Sequence, residues 1–271
     1  MTVHPMTKDD VDVSISQFAD AWRVLCGASP DHAFDEDADI DYVFSGLPIP
    51  FFNAAVITAR DVTHDGLDTL GRGAITWAAD KAVPWMFLVT HEAVAPGVDV
   101  SSTLEPHGLV PLIPMTGMRA QRIAPAQRAV HGLDLDIPRD DEACAAIFDV
   151  NAAAYGVSLD ACKATHGKRA FWNGYQPALG RVNGTPVASA AVFMVGGCRY
   201  VALVATLPDQ QRRGYAEAAM RHALDAAAAA HGDTPTTLHA TDAGRPIYAR
   251  MGYEPIASHT AFIEKRFLEG H

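Results

Sequence analysis

The sequence predicts a mixed α/β (α+β) fold laid out in two similar halves, and three observations carry that expectation. Helix-like and strand-like hydrophobic patterns alternate along all 271 residues. Hydrophobic residues at 49% and charged residues at 20% suit a chain that buries a core rather than one that stays disordered. A shift of about 144 residues lays HGLVPL over MGYEPI, with Gly108 over Gly252 and Pro111 over Pro255, and the order of elements around these segments agrees.

The elements follow in chain order. Ile15, Phe18, Ala19, Trp22 and Leu25 form one helical stripe over residues 13–27, closed by Gly27 and Pro30. Asp35, Asp37, Asp39 and Asp41 suggest a calcium loop, but counting from Asp35 puts Ile40 where Gly is needed and Gly46 where a bidentate Glu is needed. The segment therefore reads as a solvated acidic stretch. The run FFNAAVIT is a buried strand, followed by the loop ARDVTHDG and a helix over about 67–81. PWMFLVT is a second strand, 101–107 a short helix and LVPLIPM a third strand.

Residues 119–131 are polar and break the pattern, so a domain boundary is drawn there, giving 1–123 and 124–271. The cycle then restarts with helices over 140–155 and 158–170. Strands at 178–182 and 187–195 flank NGTP, whose Asn183-Gly184 pair marks a hairpin. A strand at 199–206 leads to an Ala-rich helix over 212–230 that stops at Gly232. TTLHAT, a short helix over 245–251 and a strand from Tyr253 toward Phe267 complete the chain.

Charge and composition exclude several functions. A net charge of −11 leaves no basic footprint for nucleic acid or anionic lipid, and mildly favours a cationic small substrate. No stretch reaches the ~18 apolar residues of a membrane span. The amino-terminal MTVHPMTKDD lacks the charged-then-apolar pattern of a secretory leader. Cys26, Cys144, Cys162 and Cys198 are too few and too spread for a disulfide framework, so a reduced, cytoplasmic protein is expected. The twelve histidines form no HExxH and no close cluster with cysteine, so no metal site is expected.

The chemistry concentrates in VALVATLPDQQRRGYAEAAMRHAL: a strand, a loop, then a helix. Unpaired amides at a helix amino terminus attract anions, and the small residues Gly214 and Ala216 let a phosphate approach. Arg212 and Arg213 sit at the end of the helix dipole where cations are unfavourable, so their placement asks for an anion. Neither a GKS/GKT ending nor a full dinucleotide fingerprint is present.

QRRGYA resembles motif A of the GNAT superfamily of N-acetyltransferases, and TTLHATDAGRPIYARMGYEPI is similar to its motif B, with Tyr248 four residues before Gly252 and Tyr253. The resemblance covers about 133 to the end. The first half resembles the degenerate GNAT-like domain of tandem members. The resemblance implies two GNAT-like domains, each a mixed, mostly antiparallel sheet flanked by helices, the first (1–123) degenerate and the second (124–271) catalytic. It implies acetyl-CoA as co-substrate. The backbone of Val204, Ala205 and Thr206 would pair with the pantetheine arm, and Gln211, Arg212, Arg213, Gly214, Tyr215 and Ala216 would hold the pyrophosphate. Tyr248 would be the general acid, although periodicity alone reads it as a core aromatic.

No acidic residue is singled out as the base, which leaves His239, Asp242 or water. Trp172 and Tyr175 read equally as core or as acceptor-pocket lining. The implied activity is transfer of acetyl to a primary amine of a small molecule or peptide, by a monomer or homodimer. The alternative is an acyl-CoA-binding regulatory or scaffold protein without transfer.

Overall fold

The structure, a computed structural model, describes residues 6–268. Its described residues fall into two compact units. Unit 1 takes those up to Met118, His239–Pro246 and those from Glu254 onward; unit 2 takes Arg119–Leu238 and Ile247–Tyr253. This division cuts the chain differently from the two sequence halves, because a strand from the chain's end belongs to the first unit.

In unit 1 the helix α1 (Lys8–Cys26) starts earlier than its apolar stripe, because Thr7 and Asp10 form a capping box that satisfies two amides at the helix start. A hairpin, β1 (Ala33–Glu36) and β2 (Ile40–Phe44), occupies the acidic stretch that reads as a solvated segment in the sequence. The difference has a simple cause. All of β1 is exposed, so its acidic residues stay in water while the backbone pairs with β2, whose Ile40 and Val43 reach the core. Next come β3 (Asn53–Ile57), α2 (His64–Ala78), β4 (Met86–Thr90), α3 (Val100–Leu104) and β5 (Leu109–Ala120), whose residues up to Met118 belong here. The strand order is β1-β2-β3-β4-β11-β5, where β11 is Glu254–Glu264. β3 and β4 pair in parallel, whereas β1 with β2, β2 with β3 and β4 with β11 are antiparallel.

β3 and β4 read as continuous apolar runs because both faces are covered. Ala55, Ile57, Phe87 and Val89 pack with Leu67, Ala74 and Ala78 of α2, whereas Ala54, Val56, Met86 and Leu88 pack with Val11, Ile15 and Phe18 of α1.

Unit 2 contains β6 (Asp134–Asp136), α4 (Asp141–Tyr155), α5 (Asp160–Lys163), β7 (Gln176–Val182), β8 (Thr185–Val195), β9 (Cys198–Thr206), α6 (Tyr215–His231), most of β10 (Thr236–Ala240) and most of α7 (Arg245–Arg250). The strand order is β10-β9-β8-β7-β6, antiparallel except for β10 with β9. α6 packs on β7 and β8, and α4 packs on β8 and β9. The helix expected over 158–170 is a single turn, α5, and a separate 3-10 turn at Arg169–Trp172. α5 ends at Lys163, and Gly167 lies in the turn between the two, where a Cβ would meet the Lys163 carbonyl at 2.6 Å. Trp172 is core, stacked on Phe193 at 5.9 Å; Tyr175 is half-buried against the same ring. All four cysteines are buried and free, and burial raises the thiols of Cys144 and Cys162 to about 11 and about 12.

Unit 1 also buries a chain of hydrogen bonds. Thr90 Oγ1 lies 2.9 Å from His259 Nδ1; Ser14 Oγ lies 2.8 Å from His259 Nε2 and 3.1 Å from His239 Nε2. Gly117 makes room for it, because a Cβ there would fall 1.9 Å from Ser14 Oγ. Burial lowers His259 to about 3, with His91 and Arg60 adding to the effect, and burial lowers His239 well below its ordinary value. The unfolded chain therefore takes up protons at these histidines near pH 6.5, before the native state does. Stability is full above about pH 6.5 and falls on acidification toward pH 3, by about 2 kcal/mol per such histidine between pH 6.5 and 5. Melting temperatures measured from pH 7 to 4.5 should show this slope, and His259→Gln should make it shallower. An unchanged slope in the variant would contradict this account.

Candidate active site

β9 is the element that organises the site. Against β8 its register runs Ala191↔Ala202 and then Ser189↔Ala205, so Leu203 and Val204 together face one residue, Ala190. That is a β-bulge, and Leu203 carries φ +53°, a left-handed conformation unusual for a branched side chain. On its other edge β9 pairs in parallel with β10 only at Arg199↔Thr236 and Tyr200↔Thr237. Beyond those pairs the edge of β9 carrying Val204, Ala205 and Thr206 has no register with β10. Nothing in the local residue pattern signals this bulge directly.

Past β9 the chain makes a 3-10 turn at Pro208–Gln210 and reaches the anion-type loop. Arg212 and Gly214 both have positive φ, +64° and +88°. Gly214 is the N-cap of α6 and, having no side chain, caps nothing; the first helical bond is Ala218 N to Gly214 O, at 3.0 Å. The amides of Tyr215, Ala216 and Glu217 are the unpartnered helix-start donors. Tyr215 contributes backbone only, since its side chain is buried in the core. Arg212 and Arg213 are exposed and, among the described residues, form no ion pair. A third arginine was not foreseen from sequence: Arg128 lies against Gly214, where a Cβ would come within 3.0 Å of its guanidinium and 3.1 Å of Val130. Beside it opens a cavity of about 320 Å³ lined by Arg128, Val130, Gly214, Ala218, Arg221 and His222.

Two polar atoms of this stretch, Thr206 Oγ1 and Gln210 Oε1, are buried and have no hydrogen-bond partner among the described residues. The uncapped amides and the bare Gly214 fit a pyrophosphate.

Tyr248 is half-buried on α7, its ring 6.1 Å from that of Tyr253. Burial raises its phenol pKa, and Tyr155 raises it further. Tyr155, at the end of α4, donates its hydroxyl to the Val204 carbonyl at 3.0 Å. Sequence pattern does not single out Tyr155, although it stands four residues after Asn151 on one helix face. His239 belongs to unit 1 and is bonded to Ser14, and Asp242 is exposed in unit 1. Among the described residues no group of three His, Cys, Asp or Glu is gathered as a metal would require. No helix of the described residues is long and apolar enough to cross a membrane.

Comparison with known proteins agrees with this geometry. The acetyltransferase (GNAT) domain family model matches residues 173–267. A GCN5-related N-acetyltransferase from Kribbella flavida has TM-score 0.67 at 21% identity, covering 92% of this chain and 95% of its own. One from Sphaerobacter thermophilus has TM-score 0.58 at 15% identity, with coverages of 95% and 93%. A tandem GNAT protein from the clavulanic acid biosynthesis pathway has TM-score 0.53 at 12% identity, with coverages of 96% and 97%. No curated protein matched the sequence. Residues 173–267 thus match a GNAT acetyltransferase domain, and the fold is that of GNAT proteins.

Gly214→Val tests the loop. A β-branched residue at φ +88° is strained, and its methyls would meet Arg128 and Val130. CoA affinity measured by calorimetry should fall at least about tenfold, or about 1.4 kcal/mol. Equal affinity in a folded variant would remove the loop from the site.

Proposed function

We propose that this chain, with its GNAT domain at residues 173–267, is an acetyl-CoA-dependent N-acetyltransferase that passes acetyl to a primary amine by direct attack in a ternary complex. The observation that carries this reading is the pairing of two features on consecutive elements: a strand whose edge is left open after Tyr200, and a helix start whose amides no side chain caps. In this reading the amides and arginines of Gln211–Ala216 hold the pyrophosphate, and Val204, Ala205 and Thr206 offer backbone partners to the pantetheine arm. The acceptor is a small-molecule or peptide amine in the cytoplasm, neither nucleic acid nor membrane taking part. The chain works as a monomer or homodimer, and the transfer draws on no metal.

The chemistry assigns each group a task. An amine of ordinary pKa near ~10.4 loses a proton to water or Asp242, the His239 ring being engaged with Ser14, before its lone pair attacks the thioester carbonyl. The oxygen gains negative charge and needs backbone donors; the carbon–sulfur bond breaks and the sulfur takes up a proton. Tyr248 supplies that proton. Its raised pKa keeps the phenol protonated at every pH where the amine is reactive, so the acid form is always present. Holding both reactants in one site supplies much of the acceleration.

The first domain, 1–123, is degenerate in this scheme. Thr63 accepts a hydrogen bond from Gly66 N at the start of α2, filling the place that Gly214 leaves open in α6. Val62 bridges Val94, so the loop after β3 is tied to the segment after β4. Leu104, in the register of Tyr248, is fully buried against Gly71 and cannot donate a proton. Titration should therefore find one acetyl-CoA per chain; two equivalent sites would refute the degeneracy.

A panel of amines screened for free-thiol release from acetyl-CoA tests the activity. Binding without release from any amine would turn the reading toward a regulatory acyl-CoA binder. With the acceptor in hand, Tyr248→Phe should keep CoA affinity and lower turnover by roughly 10²–10⁴. The wild-type rate should rise with pH as the amine deprotonates and show no falling limb below pH ~10, since the phenol's shift is upward. A falling limb near pH 8 that Tyr248→Phe leaves in place would assign the acid to another group.

A further inference from the structure

The bulge in β9 is held by three side chains that the acetyltransferase reading does not use. The Leu203 carbonyl accepts from Ser189 Oγ at 2.9 Å and from Asn151 Nδ2 at 3.3 Å. Asn151, 2% exposed on α4, also donates to Ser189 Oγ at 2.9 Å and to its own helix at Ile147 O, at 2.8 Å. One helical turn later Tyr155 donates to the next carbonyl, that of Val204. Both carbonyls of the two-residue bulge are thus occupied by protein donors.

The amides of the same residues are arranged differently. Leu207 N donates to Val187 O, so the Leu207 amide faces β8. Successive backbone groups alternate between the two edges of a regular strand, which turns Thr206 to the open edge and Ala205 toward β8, up to the bulge at Leu203–Val204 where the alternation is interrupted. Left bare, the Val204 carbonyl would present a negative dipole to any oxygen gaining charge beside it. The Tyr155 hydroxyl covers it. The ring of Tyr155 is 58% exposed, so an aromatic otherwise left in water is retained at this point of the helix.

We propose that Tyr155, Asn151 and Ser189 are positioning residues that fix the Leu203–Val204 bulge with its carbonyls engaged and its open-edge amides free, and so build the oxyanion-stabilising edge of the site. This rests on the acetyltransferase reading of the same strand. It goes further in naming which side chains of α4 and β8 set the strand's polarity. None of the three touches the reacting atoms in this scheme.

The thioester carbonyl itself reports on such an edge. Acetyl-CoA labelled with ¹³C at the carbonyl, bound to the full chain, should show its carbonyl stretch at lower wavenumber than in solution. Tyr155→Phe removes one hydroxyl from an exposed ring, and Ser189→Ala removes one of two donors to the Leu203 carbonyl; both should lose part of that shift. Slow hydrolysis of bound acetyl-CoA should fall about tenfold or more in each, short of the ~10²–10³ seen when an oxyanion donor itself is deleted. Affinity for acetyl-CoA should stay within about twofold. Ser189→Thr, which restores the hydroxyl, should recover both readouts.

A full carbonyl shift and full hydrolysis rate in Tyr155→Phe and Ser189→Ala would overturn the inference. So would a loss that simply tracks lowered melting temperature and affinity, or an unshifted carbonyl in the bound wild type. Failure of the wild type to bind acetyl-CoA would instead defeat the acetyltransferase reading, and the inference with it.

Discussion

A strand that must be paired on one edge and open on the other is an unstable arrangement, and the bulge at Leu203–Val204 is how this protein holds it. An unpaired strand edge in a sheet invites either closure by a neighbour or pairing with another chain. Here two residues face the single Ala190, and Leu203 is driven to φ +53°. A non-glycine residue in that region costs about 1–2 kcal/mol. The strain persists because the surroundings over-determine it: Asn151 and Ser189 hold one carbonyl, and Tyr155 the next. The twist of a bulge redirects the strand, and the residues that follow lead into the turn before α6. The anion loop and the open edge are thus successive consequences of one local distortion.

The first half of the chain shows what the same order of elements does without that distortion. β3 and β4 keep a parallel register from Ala54 to Val56, and the Val62–Val94 bridge continues their association beyond the strand ends. The helix that follows has a threonine at its N-cap instead of glycine, so its first-turn amide is satisfied internally. A closed edge and a capped helix are two independent features, and together they set this half apart from the open edge of β9 and the uncapped start of α6. What remains is a pair of apolar faces built from alternate residues of β3 and β4, which serve α1 and α2.

Local pattern carries far in this sequence. The stripe of α1, the Asn183-Gly184 turn between β7 and β8, the Ala-rich α6 and its glycine start are all decided within a few residues, and all are legible from the chain's own residue order. Three features are not, because they depend on distant partners. The β1–β2 hairpin looks like a solvated acidic run since every residue of β1 faces water, and only its backbone pairing makes it a strand. The helix expected over 158–170 ends at Lys163, and the turn after it folds Gly167 back against the Lys163 carbonyl, too close for any side chain. Membership of β11 in unit 1 follows from pairing with β4, 169 residues away at His259 and Thr90. In the site, the loop is readable from QRRGYA, whereas Tyr155, Ser189 and Arg128 are not. A lone serine in the apolar run ASAAVF is the only local sign that a buried acceptor needs a donor.

Hydrogen-bond partners separate the histidine and the tyrosine that the sequence brings near one another. His239 stands nine residues before Tyr248, close enough to suggest an acid–base pair. In the fold His239 is engaged with Ser14, alongside His259, within unit 1, and Phe18 covers it edge-on at 5.0 Å. A histidine so surrounded is kept neutral by burial, which gives it the protonation state of a base while its hydrogen bond is already committed. Tyr248 has the opposite character. Its hydroxyl makes no hydrogen bond among the described residues, and burial together with Tyr155 makes the proton hard to lose in the resting state. In the proposed transfer, a phenol of that kind would donate a hydrogen bond as negative charge appears on sulfur and give up its proton as the carbon–sulfur bond breaks. Burial thus tunes both groups, and they differ in what each is bonded to: the His239 ring is committed to Ser14, while the Tyr248 hydroxyl has no partner among the described residues.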